Sequence, residues 1–149
     1  MIYIFDIDGT IADLSHRLHY IKEKPAKWKE FFANCGADTP ILDVIQLMRY
    51  IVNHAQDRKI ILVSGRSDEC EEETINWLYK YDVPFTSLYM RRAGDHREDS
   101  VVKAELLQEL IEDWKEALPI AGVFEDRQQV VDMYRSKGLR AYQVAPGNF

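Results

Sequence analysis

The chain has 149 residues, near the commonest size of a single folded domain, so one hydrophobic core with a small appended segment is expected and a second full domain would not fit. With 46% apolar and 30% charged residues and few Gly or Pro, it reads as neither disordered nor fibrous. Nineteen Lys and Arg against 25 Asp and Glu leave a net charge of −6, which argues against sequence-independent coating of nucleic acid and leaves room only for a local basic patch.

In chain order, residues 2–7 form an apolar, β-rich run in which neighbours do not alternate with polar residues, the pattern of a strand buried on both faces. The apolar stretch before Asp6 is too short for a signal peptide or a membrane span, so nothing directs export. Residues 11–40 follow, rich in His, Lys and aromatics, and read as a small cap within one domain covering 1–149. A helical pattern spans 41–54, a second buried strand 59–64, a helix 68–81 and a weaker strand 87–90. A helix is expected over 99–118, a third buried strand over 120–125, a helix over 127–137 stopped by Gly138, and a last weak strand over 139–144.

This β, then repeated αβ, order predicts an α/β, Rossmann-like three-layer sandwich with a mainly parallel five-stranded sheet. Ligands then bind at the carboxyl ends of the strands. Asp6 and Asp8, then Ser64, Gly65 and Arg66, then Glu125 and Asp126 each follow directly on an apolar strand, so three strand ends converge on one site. No phosphate-binding P-loop string and no internal repeat is present. Cys35 and Cys70 lack metal-like spacing and read as two free thiols, which favours a reducing, cytoplasmic setting.

The chemistry concentrates in Asp6-Ile7-Asp8-Gly9-Thr10. Two acids could simply end a strand. Yet a carboxylate can take a phosphoryl group as an aspartyl-phosphate, a second acid can protonate the leaving hydroxyl and then activate water, and the glycine lets backbone amides approach an anion. Several carboxylates meeting a phosphate require a cation between them, so Mg²⁺ with oxygen ligands is expected.

This string resembles the first motif of the haloacid dehalogenase superfamily of phosphatases. Ser64-Gly65 is similar to the second motif, Lys103 to the third and Glu125-Asp126 to the fourth. The run from Arg91 to Lys103, the string from Glu125 to Met133 and the closing segment from Gln143 to Phe149 resemble, more closely, the 3′-phosphatase domains of bacteriophage polynucleotide kinases.

The resemblance implies catalytic roles for Asp6 (nucleophile), Asp8 (general acid and base) and Lys103 (charge neutralisation). It implies metal contacts from Asp6, Asp8 through its backbone carbonyl, Glu125 and Asp126. Substrate contacts would come from Thr10, Arg17, Ser64, Gly65, Arg66 and Asp99, with Arg66 clamping phosphate through its planar guanidinium. Asp99 could instead cap its helix, and Arg17 could be a solvated residue of the 11–40 segment. Glu125 stands where the resembled enzymes carry an aspartate, which leaves the choice between Glu125 and Asp126 as direct ligand open.

Between His16 and Phe32, Arg17 and Lys22, Lys24, Lys27 and Lys29 interleave with Tyr20, Trp28, Phe31 and Phe32. Such a surface suits a phosphate backbone or a stacked base, and equally an amphipathic helix whose aromatics form a miniature core. Arg91, Arg92 and Arg97 sit in a loop near the expected site, where Arg91 would contact substrate and all three would steer an anion. The expected function is a Mg²⁺-dependent phosphomonoesterase, a polynucleotide 3′-phosphatase without kinase activity. The alternatives are a nucleotidase for free mononucleotides and a non-catalytic phosphate-responsive module.

Overall fold

The computed structural model describes residues 1–117 and 119–149. Its framework is a five-stranded, fully parallel sheet in the order β5-β4-β1-β6-β7, formed by β1 (Ile2–Phe5), β4 (Lys59–Ser67), β5 (Ser87–Arg91), β6 (Ile120–Glu125) and β7 (Ala141–Gln143). Side chains of a strand alternate between faces, and here both faces are apolar. Ile2, Ile4, Ile61, Val63 and Val123 pack against Val102, Leu106 and Leu110 of α5 (Asp99–Asp113) and Val130, Val131 and Tyr134 of α6 (Gln128–Ser136). Phe5, Ile60 and Leu62 meet Ile45, Met48 and Ile51 of α3 (Leu42–Asn53) and Trp77 and Leu78 of α4 (Glu71–Lys80) on the other face. The result is the α/β three-layer sandwich expected from the alternating pattern.

Boundaries moved for local reasons. The first strand ends at Phe5, short of residue 7, because the chain turns away to form the loop carrying Asp6 and Asp8. β4 runs on to Ser67 through a register shift against β5 between Ser64 and Ser67. The helix expected from residue 68 opens as a 3-10 turn, Asp68–Cys70, before α4, whose first turn holds Glu71, Glu72 and Glu73 at the favourable end of the dipole. The helix expected over 99–118 stops at Asp113 and is followed by a 3-10 turn, Lys115–Ala117; residue 118 lies outside the described residues. Gly138, with φ of +80°, terminates the last helix as its sequence position suggested.

Residues 11–40 leave and re-enter the framework through a two-residue antiparallel ribbon of β2 (Ala12–Asp13) and β3 (Thr39–Pro40). Between them lie a 3-10 turn at Ser15–Arg17, the short helices α1 (His19–Lys22) and α2 (Trp28–Ala33), and a second 3-10 turn at Cys35–Ala37. This is two short helices rather than one amphipathic helix. Cys35 and Cys70 are free, buried thiols, both beside Thr74. Among the described residues no helix is long and apolar enough to cross a membrane.

The 11–40 segment is fastened to the framework by Trp77, which is 1% exposed and donates its indole N–H to the Asp38 carbonyl at 2.7 Å. Trp77→Ala removes a large buried side chain together with that bond, so a destabilisation of about 3–5 kcal/mol is expected in denaturant unfolding. A loss under about 1 kcal/mol would show that the segment is held by other contacts.

Candidate active site

The loop after β1 is built by short backbone hydrogen bonds. The Ile7 carbonyl accepts from the amides of Thr10, Ile11 and Ala12 at 3.2, 2.9 and 2.9 Å, and the Gly9 amide donates to the Ala12 carbonyl at 2.9 Å. Ile7 is buried in the core, and Asp6 and Asp8 on either side of it line a cavity. Gly9 has φ of +78°, and a side chain there would collide with the Asp126 carboxylate, so both the turn and the approach of the fourth-motif loop require glycine. Thr10 is fully buried and its hydroxyl has no partner.

Lys103 is the hub of the first charge cluster. Its Nζ, 1% exposed, lies 2.7 Å from Asp6 Oδ1, 2.7 Å from Glu125 Oε2 and 3.3 Å from Asp99 Oδ2. Burial by itself would lower the lysine pKa, but Asp6, Asp99 and Glu125 outweigh it and hold Lys103 charged well above the usual range. The acids are in the opposite position: burial, then repulsion from Glu125, pushes Asp6 well up, and burial, then Asp6, pushes Asp126 up to about 6.

Glu125 and Asp126 differ in what they have left to offer. Glu125 spends Oε2 on Lys103 and accepts the Asp126 and Arg127 amides on Oε1 at 3.1 and 3.2 Å. Both Asp126 carboxylate oxygens are buried without a hydrogen-bond partner. Asp6, Glu125 and Asp126 present oxygens within 4.8 Å of one another. Buried acids left unpaired in this way, all hard oxygen donors, suit a divalent cation.

The second charge cluster grips Asp8. Arg17 Nη2 reaches Asp8 Oδ1 at 2.7 Å, and Arg66 reaches the same oxygen with Nε at 3.0 Å and Nη2 at 2.7 Å. Behind them lies Asp38, whose side chain is fully buried: Oδ2 accepts from both arginines at 2.7 Å, and Oδ1 accepts from Arg17 Nε at 2.8 Å and faces His16 Nε2 at 2.8 Å. Burial would raise the Asp8 pKa, but Arg66 and then Arg17 outweigh it and the net shift is downward.

Sequence reading directed Arg17, Arg66 and Arg91 to the substrate; the structure gives their donors other partners. Arg17 Nη1 donates to the Phe31 carbonyl and Arg66 Nη1 to Thr74 Oγ1. Arg91 braces its own loop through the carbonyls of Gly65, Asp95 and Arg97 and through Asp99 Oδ1. Nearby Arg92 is paired with Glu109, and Arg97 with Asp95 and Glu105. Buried or half-buried guanidinium groups must find acceptors in the fold itself, and the local sequence does not reveal which ones.

Asp99 does not cap its helix. It faces Lys103 and Arg91, and it approaches so closely that Gly65 has no room for a side chain. Ser64 is buried, its hydroxyl accepting the Arg66 amide at 3.2 Å. Asp38, a single acid in a loop, carries no sequence signal, and Phe149, the end of a segment that resembles the family but to which sequence reading assigns no role, meets Arg127, which donates to its carbonyl at 2.6 Å and lies 4.6 Å over its ring. Asp6, Asp8, Gly65, Arg91, Asp99 and Lys103 line one cavity of about 470 Å³, together with Trp28 and Phe32 of α2 and with Phe149.

Replacing Asp38 would leave two buried guanidinium groups sharing a single carboxylate. Asp38→Ala is therefore expected to cost about 3–5 kcal/mol of stability, read from the urea midpoint. An unchanged midpoint would mean that Asp8 alone satisfies both arginines.

The family model described as the polynucleotide kinase PNKP phosphatase domain matches residues 1–149. The chain is 34% identical over 131 residues to the "Putative bifunctional polynucleotide kinase/RNA ligase" of Autographa californica nuclear polyhedrosis virus, covering 87% of this chain and 17% of that protein. In the Pnkp1/Rnl/Hen1 RNA repair complex, one chain is similar with 30% identity and a TM-score of 0.82, over 99% of this chain and 43% of that one. The haloacid dehalogenase-like hydrolase SP0104 of Streptococcus pneumoniae shares the fold, with a TM-score of 0.66 and 14% identity over 95% of this chain and 83% of its own. The chain thus spans less than half of the first two relatives. It belongs to the polynucleotide kinase phosphatase-domain family and is a phosphatase of the haloacid dehalogenase superfamily.

Proposed function

We propose that the chain is a Mg²⁺-dependent phosphomonoesterase that removes 3′-phosphate from nucleic acid ends through a phosphorylated Asp6. The observation that carries the reading is Asp6, locked on Lys103 and lining a cavity with aromatic and basic residues, with an oxygen within 4.8 Å of a buried Asp126 carboxylate that has no partner. Relatives named for polynucleotide kinase and RNA repair support the substrate class.

Asp6, Asp126 and the Asp8 main-chain carbonyl would hold the cation, and Glu125, already engaged by Lys103 and two amides, would orient Lys103 and its own loop. A bound Mg²⁺ would neutralise phosphoryl charge beside Asp6. The Asp6 oxygen attacks phosphorus, the bond from phosphorus to the sugar oxygen breaks, and that oxygen takes a proton from Asp8. Lys103 offsets the charge gathered on Asp6 and the phosphoryl group. Asp8 then accepts a proton from water as the water attacks the same phosphorus, releasing phosphate and Asp6.

The arginine clamp suits this double role. It holds Asp8 ionised in the free enzyme, ready as a base, and an incoming phosphate dianion raises the Asp8 pKa by like-charge repulsion and so helps it carry the proton for the first step. Thr10, fully buried with an unpartnered hydroxyl in the loop that carries Asp6 and Asp8, would need that loop to open before it could donate to a phosphate oxygen. Residues 11–40, whose helix α2 supplies one cavity wall, act as a cap over the site. The cavity volume also matches that of a small-ligand site, which favours a free mononucleotide as the second reading.

With Mg²⁺ present, kcat/KM on a 3′-phosphorylated oligonucleotide should exceed that on the same oligonucleotide with a 5′-phosphate and on 3′- or 5′-mononucleotides; equal or better turnover of mononucleotides would establish the nucleotidase instead. Asp6→Asn should lower kcat by at least about 10³-fold, as removal of a nucleophile does. Mg²⁺ at 100 times its Kd should raise stability by about 2.7 kcal/mol, seen as a higher Tm, and Asp126→Ala should abolish that increase. An increase that survives in Asp126→Ala would place the cation elsewhere.

A further inference from the structure

Beyond the phosphate-binding floor, the cavity has a wall that the chemistry does not use. Trp28 opens α2 and remains 47% exposed although it lines the same cavity as Asp6 and Asp8. Leaving half an indole in water forgoes burial of a large apolar surface, and a rigid aromatic held open toward a cavity is suited to a flat ligand.

The indole is mounted firmly. It meets Phe31 edge-on at 5.8 Å and Phe32 near-parallel at 6.0 Å, and those two rings meet at 5.4 Å. Phe31 is 4% exposed and lies 4.3 Å beneath the Arg17 guanidinium, which also donates to its carbonyl and to Asp8. The aromatic wall is thereby tied, through one buried arginine, to the residue proposed to move the proton. The aromatics of this segment pack on one another, with Phe31 buried and Trp28 presented outward.

The charges around the wall complete the pattern. Lys29, next in sequence, lines the same cavity and, among the described residues, is in no ion pair, unlike Arg91, Arg92 and Arg97, which also line it. Acids and a lysine at the floor, a flat apolar wall above them and an uncommitted cation beside that wall follow the order of groups in a terminal nucleotide: phosphate ester, base, then the next phosphodiester.

We propose that Trp28 is the stacking platform for the base of the terminal nucleotide, whose sugar carries the 3′-phosphate, with Lys29 facing the adjoining phosphodiester. The inference rests on the polynucleotide reading above and adds a specificity residue to it. Stacking uses the π-face that all bases share, so recognition depends on the presence of a base rather than on which base it is.

The test compares two oligonucleotides of one sequence, one ending in an ordinary 3′-phosphorylated nucleotide and the other in an abasic sugar 3′-phosphate, with wild type, Trp28→Ala and Trp28→Phe. Wild type should prefer the base-bearing end. Trp28→Ala should lose roughly 5- to 150-fold in kcat/KM on that end, mainly through KM, so that the ratio between the two substrates falls toward one. Trp28→Phe should keep most of the ratio. A wild-type ratio in Trp28→Ala, or equal losses on both ends with the ratio unchanged, would overturn the platform and leave Trp28 as packing for Phe31. Wild type that hydrolyses p-nitrophenyl phosphate but no 3′-phosphorylated oligonucleotide would overturn the polynucleotide reading itself, and the platform with it.

Discussion

The structure depends on the burial of unequal charge. Among the described residues, Asp6, Asp38, Asp99, Glu125 and Asp126 are buried with Arg17, Arg66 and Lys103. A buried cation is tolerated only with hydrogen-bonded acids around it, and each of these three has at least two. The acids divide into a lysine cluster and an arginine cluster, and burial first, then repulsion from neighbouring acids, raises the pKa values of Asp6 and Asp126. The feature that makes the site costly to the free fold is the same one that suits it to a divalent cation.

Asp6 and Asp8 are two positions apart, yet their surroundings push them in opposite directions. Asp6 sits beside one lysine and several acids, whereas Asp8 sits under two arginines. Two carboxylates with opposed pKa shifts are a recurring arrangement where one acts as nucleophile and the other handles protons. Here the opposed shifts come from elements distant in sequence, since Lys103 arrives on α5, Arg66 from the end of β4 and Arg17 from the 11–40 segment.

That segment is joined to the framework by more than its ribbon. Arg17 touches Asp8, Asp38 and the Phe31 ring, and Trp77 of α4 holds the Asp38 carbonyl. A displacement of α2 would therefore be felt at Asp8. The aromatic residues of α2 and the Asp8 carboxylate are thus joined through one buried arginine, which ties the position of this segment to the surroundings of Asp8.

The sequence by itself determined the alternating elements, the parallel sheet and the convergence of three strand ends, because buried strands, helical periodicity and glycine stops are local patterns. It also determined the acids of the first and fourth motifs and Lys103, whose spacing resembles a known family. Only the tertiary structure decided that Arg17 and Arg66 clamp Asp8, that Asp38 stands behind them, that Glu125 is engaged while Asp126 is open, and that Phe149 reaches the site. These are pairings across 9 to 58 residues of chain or more, fixed by which charged groups the fold buries together, and no local pattern encodes the partner of a buried charge.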